Sequence, residues 1–194
     1  DAVASLELGL GPDTSSQRWA QAVRLIQGYG EHDKALDWLE EGLEAFPESY
    51  ELLALAVESA TKTSDRERVI LFSDRLAKRG QKGALEGAYG LLRVGASQEL
   101  EELIDGYAGS SPEWIVLRGQ QALWTGKSED ARRFGREAFE LGAQEEGALL
   151  QGAASILLGE FQAGLQWLES VPDSGIRAVW QSEGLRLLGR HGEA

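Results

Sequence analysis

Residues 25–39 read LIQGYGEHDKALDWL: an apolar stretch, a turn ending at Gly30, and a second apolar stretch starting near Ala35. The same order returns in LWTGKSEDARRF at 123–134, LLGEFQAGLQWL at 157–168 and LLGRHGEA at 187–194. Each copy has a glycine, four mostly polar residues, and then alanine or glycine. A recurrence of this kind is typical of a repeat protein.

Two weaker copies, in which Ser64 and Gly95 take the turn position, fill the gap between the first and later copies. From Gly30 to Gly189 the turns are spaced by 34, 31, 31, 33 and 30 residues. Apolar residues recur at three- and four-residue steps on both sides of each turn, which predicts amphipathic helices. One helix pair cannot bury both apolar faces, so the pairs are expected to stack.

The turns also predict local backbone features. Glycine at the end of a first helix suits a positive φ angle. Polar side chains in the turns are expected to cap the second helices, with four candidates. These are Asp33, Ser64, Ser97 and Ser128.

On these residues the sequence resembles the tetratricopeptide repeat (TPR) family. Repeat one has Trp19, Gly30, Ala35, Leu39 and Pro47 at matching positions. Repeats four and five match at Gly119, Gly126, Ala131, Ala138, Gly152, Gly159, Gly164 and Leu168. The resemblance implies an all-α, right-handed α-solenoid of antiparallel helix pairs. An irregular helical bundle, or another helix-pair repeat such as HEAT, is the alternative.

The resemblance covers residues 16–194 as about five and a half repeats. We expect these at 16–49, 50–80, 81–111, 112–144, 145–174 and, in part, 175–194. Residues 1–15 are interpreted as the end of a preceding helix or an N-terminal extension. Val69 and Leu100 stand where the family has a small residue, so repeats two and three are expected to pack with altered angles.

Composition excludes several classes of function. Acidic residues outnumber basic ones by 32 to 19, which gives a net charge of −13 and disfavours direct nucleic-acid binding or docking on an anionic membrane. No apolar run reaches the roughly 18 residues of a membrane span, so membrane insertion is not expected. The compartment stays open between the cytoplasm, which is slightly favoured, and the periplasm or cell envelope.

The sequence contains no complete catalytic or cofactor-binding motif. Gly126-Lys127-Ser128 looks like the end of a phosphate-binding loop, but that loop needs a glycine where Gln121 stands. His32 and His191 occupy equivalent turns several repeats apart, and the chain has no cysteine, so a shared metal site is not expected. We predict a non-enzymatic protein without a cofactor or metal.

In TPR proteins the first helices of the pairs line a concave groove. In the family register the candidate partner-binding residues here are Arg24, Gln27, Leu85, Tyr89, Arg93, Val116, Gln120, Trp124, Leu149, Ala153, Ile156, Glu183 and Arg186. Repeat two adds a more polar set, Glu51, Ala54, Glu58 and Thr61.

Apolar and aromatic residues dominate this register from repeat three to repeat five. The groove is therefore predicted to hold an apolar or amphipathic segment of a partner protein or peptide, with Tyr89 and Trp124 as anchors. The alternative is that Leu92, Leu123 and Ile156 fill space between repeats, and a one-residue register error would turn Trp124 inward.

Two further surfaces stand out. A basic stretch on repeat two is read as a solvated face, with a second, acidic partner as the alternative. Its residues are Lys62, Arg66, Arg68, Arg75, Lys78, Arg79 and Lys82. At the other end, Ala194 falls where Ala35 falls, so the chain is expected to stop about one turn into a second helix. The apolar face of residues 176–188 would then be partly uncovered and available for self-association.

The predicted function is a non-enzymatic protein–protein interaction scaffold. The alternative is a regulatory or self-associating TPR segment of a larger multidomain protein, such as a transcriptional regulator or an envelope or secretion assembly factor.

Overall fold

The computed structural model describes residues 10–11, 14–107 and 111–189. Over these residues it contains eleven α-helices and no β-strand, which confirms the all-α prediction. The helices are α1 (Ser16–Gly28), α2 (His32–Ala45), α3 (Tyr50–Lys62), α4 (Arg66–Ala77), α5 (Gln81–Arg93), α6 (Ser97–Gly106), α7 (Pro112–Trp124), α8 (Ser128–Glu140), α9 (Gln144–Leu157), α10 (Phe161–Glu169) and α11 (Gly175–Leu187).

The helices divide into two compact units, residues 1–103 and residues 104–194, with the boundary inside α6. In unit 1 consecutive helices from α1 to α5 pack together, and α3 also contacts both α1 and α5. In unit 2 consecutive helices from α7 to α11 pack together, and α9 also contacts both α7 and α11. Each unit is therefore a stack of antiparallel helix pairs in which the first helices lie side by side.

The turns inside the pairs share one backbone conformation. The turn residue has a positive φ in all six: Gly30 (81°), Ser64 (58°), Gly95 (69°), Gly126 (73°), Gly159 (84°) and Gly189 (75°). In the five turns whose next residue is described, that residue donates its N–H to the carbonyl five positions earlier, as Lys127 does to Ala122 at 2.8 Å. This bond is part of the Schellman motif that ends a helix. The turn residues aligned by sequence are thus structurally equivalent.

The side-chain caps differ from those predicted. The N-cap directly follows the turn residue, so α4 is capped by Asp65, whose carboxylate accepts the N–H of Arg68 at 3.0 Å. By the same geometry the N-caps of α2 and α8 are Glu31 and Lys127, and neither makes a side-chain cap bond. The predicted caps Asp33, Ser64 and Ser128 are therefore wrong.

Ser64 is the one turn residue of the six with a side chain, and its left-handed conformation costs an L-residue about 1–2 kcal/mol. Glycine removes that cost but loses more entropy on folding. We expect Ser64→Gly to raise the free energy of unfolding by about 0.5–1 kcal/mol. Urea denaturation measures this. Ser128→Gly is the control, because Ser128 begins α8 and glycine there should destabilise slightly. A lowered midpoint for Ser64→Gly would contradict the expectation.

Repeat two accommodates its large residue by placing glycine on the facing helix. Val69 in α4 is fully buried although the family has a small residue there. A Cβ atom added to Gly90 in α5 would lie 3.4 Å from Val69 and only 2.6 Å from Val57. The missing Cβ of Gly90 therefore leaves room for both valines.

Several predictions fall outside the described residues. The interpretation of residues 1–9 and 12–13, His191 and the position of Ala194 are among them.

Candidate functional site

Unit 1 contains an open cleft of about 530 Å³, which we call the α1–α3–α5 cleft. Its lining comes from one helix of each successive pair, and the residues of α3 and of α5 recur at steps of three and four, so each helix offers one face. The lining residues are Arg24 from α1, Tyr50, Glu51, Ala54, Leu55, Val57, Glu58 and Thr61 from α3, and Glu86, Tyr89, Gly90 and Arg93 from α5.

Some of the charges in the cleft are paired and some are free. Arg24 joins α1 to α3 through an ion pair with Glu51 at 2.7 Å. Glu58 and Arg93 are exposed and have no ion-pair partner among the residues that the structure describes. One free anion and one free cation therefore face the same cleft, where a bound segment of complementary charge can pair with them.

Tyr50 lies at the start of α3, where the Lys82 ammonium sits 5.3 Å from its ring centroid. Its hydroxyl is buried and lies close to the Glu86 carboxylate. Burial, together with the neighbouring Glu86 carboxylate, raises the pKa of Tyr50 above its ordinary value. The hydroxyl therefore stays neutral beside the Glu86 carboxylate, which also lines the cleft.

Seven of the predicted groove residues in unit 1 line this cleft: Arg24, Glu51, Ala54, Glu58, Thr61, Tyr89 and Arg93. Gln27 does not line it. Its side-chain amide donates to Ser59 Oγ at 2.8 Å and to the Leu55 carbonyl at 3.3 Å, which ties α1 to α3. Leu85 is half-buried and is also absent from the lining.

Most of the predicted groove residues of unit 2 are buried, at least in part, or form an ion pair with each other. Val116, Ala153 and Ile156 are core residues, so they offer a partner no exposed side chain, and the alternative interpretation of Ile156 is the correct one. Gln120 and Leu149 are half-buried. Glu183 and Arg186 form an ion pair with each other at 2.6 Å on α11. Trp124 is 69% exposed, so the register error that would turn it inward does not occur.

Sequence reasoning missed five lining residues: Tyr50, Leu55, Val57, Glu86 and Gly90. On α5 a simple signal was available. Counting back from Arg93 by three, four and seven residues gives Gly90, Tyr89 and Glu86, which is the observed face. The family register had placed the apolar Leu85 on that face instead.

Most of the basic stretch of repeat two is already paired within unit 1. Arg66 pairs with Glu99 at 3.2 Å, and Arg68 pairs with Glu40 at 2.8 Å. Arg79 pairs with Glu48, Lys78 with Asp74, and Arg75 donates to the Pro47 carbonyl. Apart from the Lys78–Asp74 pair, which is local to the end of α4, these contacts join α4 or the residues just after it to other parts of unit 1, and together they favour the reading of a solvated face over an acidic partner.

Within the described residues, no group of three or more histidine, aspartate or glutamate side chains could hold a metal ion. Gly126-Lys127-Ser128 joins α7 to α8, so the strand-to-helix setting of a phosphate-binding loop is absent at this turn. Among the helices described, none is long and apolar enough to span a membrane.

Comparison with known proteins identifies the fold. No protein-family profile and no curated protein sequence matches the chain. Among solved structures, a thermophilic TPR protein of Thermus thermophilus is similar, with a TM-score of 0.64 and 16% identity over 88% of this chain and 100% of that one. A chain of the APC/C hetero-tetramer Cut9–Hcn1 gives a TM-score of 0.63 and 13% identity over 89% of this chain and 40% of that one.

The chain therefore has the fold of the TPR helical solenoids, as the sequence resemblance predicted. At these identities the likeness concerns the fold alone.

Proposed function

We propose that the protein is a non-enzymatic scaffold that binds a segment of a partner protein in the α1–α3–α5 cleft. The observation that carries this proposal is the lining itself: three first helices present one face each to a common open space.

The lining favours an amphipathic segment. Ala54 and Tyr89 supply apolar and aromatic surface, while Glu58 and Arg93 supply charges of opposite sign. A helix or extended peptide with an apolar face, a basic residue towards Glu58 and an acidic residue towards Arg93 is complementary to it. No catalytic step is needed for this function.

The test uses a displayed library of random 16-residue peptides selected on the wild-type chain. Peptides recovered are synthesised, and their affinity is measured by fluorescence anisotropy. We expect Arg93→Glu and Tyr89→Ala each to raise Kd at least about tenfold, because each changes a side chain that lines the cleft.

Arg18→Glu is the matched control, since Arg18 is an exposed arginine of α1 outside the cleft and the charge change is the same. Circular dichroism and thermal melting verify that all variants stay folded. Unchanged affinities in the folded cleft variants would refute the proposal.

A second candidate function, self-association, is favoured by one observation on α11. Ile176 and Val179 are 60% and 66% exposed and lie one turn apart on that helix, and Leu187 is also exposed. Exposed apolar residues that are adjacent on a helix mark an interaction surface. The proposed occupant is the same surface of a second copy of the chain.

For this candidate we expect size-exclusion chromatography with light scattering to show a mass that rises towards the dimer with concentration. The double variant Ile176→Asp, Val179→Asp should remain a monomer. Leu71→Asp, at a 55% exposed position on α4, is the control and should behave as wild type. A wild-type mass that stays monomeric at every concentration would exclude self-association.

A further inference from the structure

A second cleft, of about 480 Å³, lies within unit 2 between the second helices of two successive pairs, α8 and α10. Its floor is formed by α9, which packs against both. We call it the α8–α10 cleft. Its lining residues are Arg132, Arg136, Phe139 and Glu140 from α8, Gln151 and Ser155 from α9, and Glu160, Ala163 and Trp167 from the start and body of α10.

The floor of this cleft holds two buried polar side chains without partners. Gln151 is 3% exposed and Ser155 is 2% exposed. Neither side chain makes a hydrogen bond to any described residue. The Gln151 Nε2 atom is also fully buried. Buried polar groups are nearly always satisfied in folded proteins, so the unpartnered side-chain nitrogen of Gln151, one helical turn from Ser155, needs an explanation.

The other buried serine and threonine residues in the described part of the chain show the usual pattern. Ser73 donates to the Gly87 carbonyl at 3.1 Å, Ser59 accepts from Gln27 at 2.8 Å, and the Thr14 hydroxyl accepts the Gly11 N–H at 2.9 Å. These three have partners within their own unit. Gln151 and Ser155 depart from that pattern, and both lie on the floor of the α8–α10 cleft.

The walls and rim of the cleft add apolar surface and charge. Phe139 and Trp167 meet edge to face across it, with ring centroids 5.6 Å apart. Arg132 is held by the carboxylates of Glu129 and Glu160, at 2.6 and 2.9 Å. Arg136 is exposed and has no ion-pair partner among the described residues, which leaves its guanidinium free for a ligand.

We infer that the α8–α10 cleft is a second peptide-binding site that holds an extended segment of a partner protein. Gln151 and Ser155 form hydrogen bonds with a backbone amide of that segment, and Arg136 pairs with one of its acidic side chains. A side-chain amide and a hydroxyl together offer the donors and acceptors that match a peptide group. The last torsion of glutamine is soft, so a small rotation turns the amide towards the ligand. An apolar side chain of the segment packs against Phe139 and Trp167, and Arg136 pairs with the carboxylate.

The site is independent of the α1–α3–α5 cleft, so its test starts from a chain in which that cleft is disabled by Tyr89→Ala and Arg93→Glu. A displayed library of random 12-residue peptides is selected on this chain. We expect peptides with an acidic residue near an apolar one, whose affinity falls at least about tenfold on adding Arg136→Glu. The control Arg133→Glu changes a nearby arginine, which is outside the cleft and pairs with Asp130. It should leave affinity unchanged.

Gln151→Leu distinguishes a binding role from a structural one. If Gln151 is kept for a ligand, replacing it with an apolar side chain of similar size should raise the melting temperature while it weakens binding of the selected peptides. Three results would overturn the inference. They are a library that yields no peptide dependent on Arg136, equal loss with Arg133→Glu, and a Gln151→Leu variant that binds the peptides as wild type does.

Discussion

Replacing Gly147 with alanine is expected to lower the free energy of unfolding of unit 2 by about 3 kcal/mol, the upper end of the usual range for overpacking. Gly147 lies at the start of α9, against α8. A Cβ atom there would stand 2.6 Å from the Phe139 nitrogen and 2.7 Å from the Gly135 carbonyl oxygen. Both are backbone atoms of a helix, so neither can rotate away, and the two helices must separate. Urea denaturation followed by circular dichroism measures the change.

Gly175→Ala is the control for this experiment. Gly175 begins α11 in the same unit, no atom lies within 4 Å of the position of its missing Cβ, and its φ is not positive. Alanine there should be neutral or stabilise by up to about 1 kcal/mol. Equal stability of the Gly147→Ala variant and wild type would show that α8 and α9 do not pack as closely as described.

Trp114→Ala is expected to lower the free energy of unfolding by about 3–5 kcal/mol, the range for removing a large aromatic side chain from a core. Trp114 is 1% exposed in α7 and stacks on Tyr107, with ring centroids 4.9 Å apart and planes 5° from parallel. Alanine loses the stack and leaves a cavity that neighbouring helices fill only in part. The measurement is again the midpoint and slope of urea denaturation.

The same helix provides the matched control. Trp124 ends α7 and is 69% exposed, so Trp124→Ala should change the free energy of unfolding by less than about 0.5 kcal/mol. The pair of variants tests which tryptophan faces inward. Comparable losses for both, or a larger loss for Trp124→Ala, would contradict the packing of α7.

The repeat could be predicted from sequence because its turns require a particular backbone conformation. A positive φ selects glycine, and the five glycines and Ser64 that marked the turns all have that conformation. Serine does not select a positive φ, so at Ser64 it is the spacing of the repeats that indicates the turn. The caps were predicted less well, because the Schellman turn makes the residue after it the N-cap whatever its side chain.

The groove was harder to predict because the first helices are packed on more than one side. In α9 most residues from Gly147 to Ile156 are buried, so its apolar pattern runs nearly all round and does not single out an exposed face. Ala153 and Ile156 were therefore assigned to a groove although they lie in the core. In α3 and α5 charged residues interrupt the apolar pattern and mark an exposed face, and there the predicted groove residues Glu58, Tyr89 and Arg93 line the cleft.

The central proposal is that a partner segment occupies the α1–α3–α5 cleft, and photo-crosslinking tests it most directly. Benzoylphenylalanine is placed at Tyr89 in one chain and at Trp124 in another, and each is irradiated with a peptide selected on the wild type. The proposal predicts a covalent adduct from position 89 and little or none from position 124, with the crosslinked residue located by mass spectrometry. An adduct from position 124 alone, with the chain at position 89 folded and unreacted, would contradict it.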